Sequence, residues 1–589
     1  MKSRLDVVIC VVACLMLTVG ARGQEIAPDG NAHPSVQMLS GAPGELANPF
    51  GEPARESFAT PAQKLEFALA LDLEPLRDLA VSHSGRVKIL DTLARETVRE
   101  ITGKTRYPDP VETPSGVELE KYDPLFTLFD LIIDQGYYMD RPLIYVDYLP
   151  LRERILEIVY PQDEQLRERY KTLTRLTPED VSLGGQRILA SGDIEGQMSM
   201  GLQRISARLG MWGSSMRNLM VIAPESATAK YHHLSELDPS HPARAAALEL
   251  GRAWRARDAD AANSAIRTLA EQLPKINADR YPTLRRSLEL TYNKANAFEW
   301  GMWLYFVALL SLVLAFATGR RWLVYLGTGT LLLAIGIHFT GFVLRCIIAE
   351  RFAIQNQFES MTGLSLFATL VGLGVMTLKR QWLFGAAAAG VGFLVLITAT
   401  QTGIPGVNVQ KEAAILNTSV LLKYHVTTVL VSYGLISLGF IISLFYLGTY
   451  YAGKLKARAE VGAEPGAESI AAHALGLDES VNVGRQRVLA DLDRALMTIL
   501  QLAFWTLAVG IMLGAWWADH SWGRWWAFDP KETWALATWI IYLIVIHVRQ
   551  VATKNRQLVT AWLGVLGFIV MLWTYFGVNL LLPGLHAYA

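Results

Sequence analysis

The chain is 589 residues long, 51% hydrophobic and 18% charged, with a mean hydropathy of +0.25. Its 54 basic and 54 acidic residues balance, so there is no global positive field and nucleic acid is not expected as a partner. This balance fits a membrane protein with a sizeable water-soluble part.

The N-terminus reads MKSRLDVVICVVACLMLTVGARGQ. Lys2 and Arg4 precede an apolar run from Val7 to Val19, and Ala21-Arg22-Gly23 supplies small residues for cleavage, so 1–23 reads as an export signal. Val11-Val12-Ala13-Cys14 loosely resembles a lipobox, but the apolar run continues past Cys14, which argues against lipidation. Two of the three cysteines lie in the signal. Cys346 is alone in the mature chain and can form neither an internal disulfide nor a CxxC pair. Any thiol-reducing protein must therefore be supplied separately.

Residues 24–58 are rich in Ala, Pro and Gly and read as a flexible leader. Residues 59–290 contain no apolar run long enough to span a bilayer. Charged, helix-like stretches at 151–173 and 243–273 predict a mostly helical exported domain there. No nucleophile–base pair, phosphate loop or metal set stands out in it. His232, His233 and His241 form a local cluster best read as a solvated surface, because a metal site wants more ligands at defined spacing.

From 298 to 589 the pattern changes. Apolar segments run at roughly 298–317, 322–345, 363–378, 382–400, 418–450, 498–516, 533–549 and 560–582. A spanning helix needs about 20 such residues. The prediction is an all-α fold: a polytopic bundle of about eight spanning helices, in contact with membrane lipid, preceded by a mostly helical periplasmic domain. Arg320 and Arg321, Lys379 and Arg380, Lys454 to Arg487, and Arg549 to Arg556 all fall in loops on one side, which the positive-inside rule assigns to the cytoplasm. The export signal places 59–290 on the other side, and eight crossings return the C-terminus there. A multi-pass protein of the cytoplasmic (inner) membrane is expected. Apart from Glu299 at an end, the segments hold almost no carboxylates, which argues against ion coupling.

Seven of the sixteen tryptophans fall between Trp516 and Trp539. An interfacial aromatic belt would spread them over all helix ends. Here they gather in one outward loop, 516–534, with Trp516, Trp517, Trp522, Trp525, Trp526, Phe528 and Trp534 around Asp529-Pro530-Lys531-Glu532. Clustered rings suit a large flat apolar ligand, because offset stacking adds to area burial. His425 and His586 fall at the same membrane face. Two imidazoles make a six-coordinate haem iron site, and Arg524 and Lys531 are candidates for the propionates. Asp529 and Glu532 suit a role ordering the loop.

WGRWWAFDPKETW resembles the tryptophan-rich signature of a haem-handling family that serves cytochrome c maturation. His425-Val426 with Ser432-Tyr433, DPKETWAL, His547 in YLIVIHVR and the ending GVNLLLPGLHAYA resemble the CcsA (ResC) family of the CcsA/CcsB cytochrome c synthase. QNQFESMTGLS (355–365) resembles an earlier segment of that family more loosely, and GRVKILDTLARETVREITGKTRY (85–107) a soluble region of some fused versions. Phe528 stands where the family commonly has Trp, and the CcsB half is absent from this chain. The resemblance implies that haem b is the cargo and that a haem-lyase complex forms with a CcsB/ResB-like subunit. It makes apocytochrome c the acceptor, His425 and His586 the outer axial ligands, and His547 an entry ligand within the membrane. His338 is a weaker second entry candidate, because helix geometry puts it at a depth differing by about 15 Å from that of His547. His520 adjoins the loop as a lesser competitor. Two rival readings are a haem exporter that delivers to a chaperone, and a quinol-linked or ion-coupled protein whose tryptophans form only a belt.

Overall fold

The computed structural model describes residues 46–53, 60–113, 116–192, 196–411, 420–462, 477–551 and 555–584. The export signal, most of the leader, His33, His473 and His586 lie outside the described residues. Two compact units divide between Lys294 and Ala295.

Among its described residues the first unit is mostly helical, with two short antiparallel hairpins and a two-residue antiparallel pair, Ile144–Tyr145 with Arg175–Leu176. Its helix Leu90–Thr102 repeats apolar residues at helical spacing, so Leu90, Leu93, Ala94, Val98 and Ile101 share one buried face. Gly103, at φ 74°, closes this helix by donating its N–H to the Arg99 carbonyl. The hairpin Ala80–His83 and Arg86–Ile89 leads into it, and Arg86 forks onto Glu289 at 2.9 and 3.2 Å. At the centre, Lys64 is 3% exposed and reaches Asp130 at 2.6 Å and Asp134 at 2.9 Å. Asp130 also accepts from Tyr138 Oη at 2.6 Å and Trp254 Nε1 at 2.9 Å. Burial pushes the Asp130 carboxyl up while Lys64 pulls it down.

The expected solvated histidine surface is corrected at His233, which is fully buried. Its Nε2 meets the Met216 carbonyl at 2.9 Å, and its Nδ1 accepts from the Ser235 N–H of the turn it caps. His241 caps the helix Pro242–Ala256 in the same way. A turn start leaves N–H groups that need acceptors, and a neutral imidazole supplies one.

Among its described residues the second unit has eight helices long and apolar enough to cross a membrane. They are α1 (Ala297–Thr318), α2 (Arg321–Ala349), α3 (Gln357–Lys379), α4 (Leu383–Gln401), α5 (Val420–Gly462), α6 (Leu477–Trp522), α7 (Pro530–Val551) and α8 (Arg556–Leu572). These make the chain a multi-pass membrane protein. α1 packs on α2 and α4, α3 on α4 and α5, α5 on α6 and α8, and α7 on α6 and α8. Glycines allow close approach where Gly392 faces Tyr305 and Gly567 faces Tyr542. α8 continues through a π turn, Trp573–Gly577, into Val578–Leu581.

The third helix starts at Gln357, six residues before the apolar run that predicted it. Asn356 caps it by accepting the Glu359 N–H at 2.9 Å. Glu359 is therefore a fully buried carboxylate inside a spanning helix, which corrects the expectation of almost none. Arg345 meets it at 3.1 Å and Arg351 at 2.6 Å. Arg345 also donates to the carbonyls of Gly406 and Val407. A carboxylate this firmly paired is a structural clasp between α2, α3 and the 406–407 turn.

Candidate functional site

The Asp529-Pro530-Lys531-Glu532 run is the start of α7. Asp529 Oδ2 accepts the Lys531 N–H at 3.2 Å, and Glu532 Oε2 accepts the N–H groups of Asp529 and Ala527 at 3.3 and 2.9 Å. This reciprocal capping, with Pro530 in the first turn, fixes how the loop enters the helix. Both carboxylates thus face backbone. Asp529 is buried, and a Cβ on Gly584 would lie 2.6 Å from its Oδ1, so the chain after α8 runs directly against this cap.

The aromatic residues of 516–534 do not form one flat shelf. Trp517 is 2% exposed and meets the Trp522 ring edge-on at 4.9 Å, in a small apolar cluster with Leu422. Trp516, Trp525 and Phe528 are exposed. Trp526 is half-buried with its ring 6.4 Å from that of Phe528, which occupies a left-handed backbone at φ 54°. Trp534 instead meets Trp573 of the π turn edge-on at 5.8 Å. Of the two cations, Arg524 is exposed, whereas Lys531 is half-buried and donates from Nζ to Asn579 Oδ1 at 2.6 Å.

His425 lies near the start of α5, against α6. Its Nδ1 is 2.7 Å from the Gly510 carbonyl. A carbonyl only accepts, so Nδ1 carries the hydrogen and the lone pair sits on Nε2, the tautomer a metal ligand needs. Gly514 makes room for the ring: a Cβ there would lie 2.5 Å from His425 Cε1.

His425 lines a cavity of ≈ 180 Å³ together with Trp517, Lys531, Tyr433, Tyr575, Asn579 and the 354–357 stretch. Tyr433 and Tyr575 stand edge-on at 6.1 Å, and Tyr575 Oη bonds Ser360 Oγ. Pockets that enclose a whole small ligand run to about 300–1,000 Å³. The cavity as it stands admits one edge of a larger ligand. Sequence reasoning missed Gln357, Ser360, Tyr575 and Asn579 as wall residues. The signal was present, because each lies within or beside a motif already singled out, but only the fold shows that these motifs meet.

The other described histidines of this unit, His338, His520 and His547, do not line this cavity. His338 is fully buried, with Nδ1 3.2 Å from Tyr305 Oη and Nε2 3.0 Å from the Thr362 carbonyl. His547 is exposed on α7, its Nδ1 2.8 Å from the Leu543 carbonyl. The two are not brought together. His520 is exposed and bonds its own helix at the Trp516 carbonyl. Among the described residues no group of three or more His, Cys, Asp or Glu could hold a bare metal ion.

Residues 302–586 match the family model described as "Cytochrome C assembly protein". The chain is 34% identical over 264 residues to the cytochrome c biogenesis protein CcsA of Synechococcus sp. (strain WH7803), covering 42% of this chain and 79% of that relative. It is 31% identical over 255 residues to CcsA of Heterosigma akashiwo (strain NIES-293 / 8280G21-1), covering 40% of this chain and 76% of that protein. It is also 31% identical over 257 residues to CcsA of Porphyra purpurea, covering 40% and 78%. With residues 302–586 matched by the family model and about three-quarters or more of each relative's length covered, the chain belongs to the CcsA family of cytochrome c biogenesis proteins.

Proposed function

We propose that the second unit receives haem b, holds it at the periplasmic face of the inner membrane, and presents it for covalent attachment to the CxxCH of an apocytochrome c. One observation carries this reading. Four motifs far apart in sequence, at 355–357, 425–433, 529–531 and 575–579, converge on one cavity beside the tryptophan loop. Its donor set suits haem: an imidazole with its lone pair on Nε2, an indole wall and a cation. The second axial ligand is His586. His586 lies outside the described residues, and its part in this reading rests on the resemblance of the ending GVNLLLPGLHAYA to the family.

His425 and His586 bind the iron from its two sides, and the aromatic loop keeps bulk water from the macrocycle. The vinyl groups face the apocytochrome. Each cysteine sulfur bonds to one vinyl carbon while the thiol hydrogen ends on the neighbouring carbon, so the addition needs no net electron transfer. A separate thiol-reducing protein keeps both cysteines as thiols, and a CcsB/ResB-like subunit completes the lyase. In this reading His547, exposed on α7, meets haem entering from the cytoplasmic side together with such a partner. His338 has both nitrogens within hydrogen-bond distance of protein partners, so as an entry ligand it would have to exchange one of them.

The test is coexpression of the full chain with a CcsB/ResB-like protein and a CxxCH reporter, followed by a stain for covalent haem. Attached haem that disappears in His425→Ala supports the reading. Haem recovered only on a separate chaperone would replace it with the exporter reading.

A further inference from the structure

Resting on that haem reading, we propose that the cavity beneath the tryptophan loop is a carboxylate pocket in which Gln357, the Trp517 indole N–H and Lys531 hold the propionate edge of the porphyrin.

Gln357 is 6% exposed, yet neither its amide nitrogen nor its amide oxygen has a hydrogen-bond partner among the described residues. Trp517 is 2% exposed, and its Nε1 is likewise unpartnered among them. Buried amides and indole N–H groups ordinarily find partners, because leaving them unmade forfeits their hydration with no return. Both residues line the same cavity as Lys531, whose Nζ gives one of its three N–H groups to Asn579. Two unpartnered neutral donors lining one cavity with an ammonium suit an anionic acceptor with more than one oxygen, and the groups of that kind on haem are its propionate carboxylates. At ≈ 180 Å³ the cavity takes an edge and not a whole macrocycle. The propionates therefore point into the protein, and the opposite, vinyl-bearing part of the ring is left outside the cavity, where an apocytochrome can reach it. A packing role does not explain the pattern, since Leu and Phe would fill these positions without stranded polar atoms.

The experiment titrates purified full-length protein with haem and with haem dimethyl ester, followed by Soret absorbance, in wild type, Gln357→Leu and Trp517→Phe. Each substitution is expected to weaken haem binding about tenfold, the value of one hydrogen bond to a charged group. Dimethyl ester affinity should change by less than about twofold, and the saturated spectrum should keep its imidazole-ligated form. Thermal stability of Gln357→Leu should equal or exceed that of wild type, because a stranded amide is replaced by an apolar group. Equal losses for both ligands, or no loss in either variant, would overturn the pocket while leaving the haem reading in place. Wild type that takes up neither ligand would overturn both.

Discussion

Gly514→Ala isolates the positioning of His425. In a helix interior Ala is favoured over Gly by about 1 kcal/mol, so on helix propensity alone the change stabilises α6. The new Cβ would stand 2.5, 2.7 and 3.1 Å from Cε1, Nδ1 and Nε2 of His425. Ordinary carbon contacts are about 3.5–4.0 Å, so the ring must retreat by about 1 Å. That retreat breaks the 2.7 Å bond from Nδ1 to the Gly510 carbonyl, a net loss of about 1 kcal/mol. The two terms nearly cancel in stability. They do not cancel in ligation, since a binding site has to be held within about 0.5 Å. The expected result is an almost unchanged melting temperature with haem retention reduced at least tenfold and restored by added imidazole. Gly448→Ala, where the added Cβ meets nothing within 4 Å, is the control and should retain haem. The assay is the ratio of Soret to protein absorbance after purification, and wild-type haem content in Gly514→Ala would refute the reasoning.

Three further outcomes follow. Glu359→Gln leaves the fully buried Arg345 and the nearby Arg351 without their carboxylate, and should cost about 3–5 kcal/mol, read as a lower melting temperature of the full chain. Lys64→Met strands Asp130 in the first unit and should cost a similar amount, visible as faster hydrogen exchange at 124–133. Burial first, then Lys88 and Arg86, lowers the His83 pKa from 6.5 to about 4. The folded first unit thus favours neutral His83, with full stability above about pH 6.5 and loss as pH falls towards 4. Discounted for the solvent the ring still meets, the loss is about 1 kcal/mol. His83→Gln should flatten that part of the pH dependence of exchange in the 80–102 segment.

Hydropathy carried the architecture, because a bilayer core demands apolar length and little else. It placed all eight helices but not their true ends. α6 begins at Leu477 and not near 498, since its first turns are polar and helical beyond any apolar run. α3 begins among Gln357 and Glu359, which look like loop residues until Arg345 and Arg351 are seen around them. Composition showed the tryptophan cluster without showing that Trp517 is buried while Phe528 is exposed, because Trp517 sits on an inner face of α6 and Phe528 in the loop that precedes α7. His233 was misjudged because burial of a capping imidazole depends on the turn above it, not on its sequence neighbours. Gln357 and Asn579 were invisible as wall residues because 222 positions separate them and only the packing of α3, α5 and α8 joins them.

The most direct test of the central claim is the visible and electron paramagnetic spectrum of purified protein carrying haem, recorded for wild type, His425→Ala and His586→Ala. A six-coordinate low-spin bis-imidazole signature in wild type is predicted, lost in each variant and recovered in each on adding imidazole. Haem bound with an unaltered spectrum in both variants would contradict the assignment.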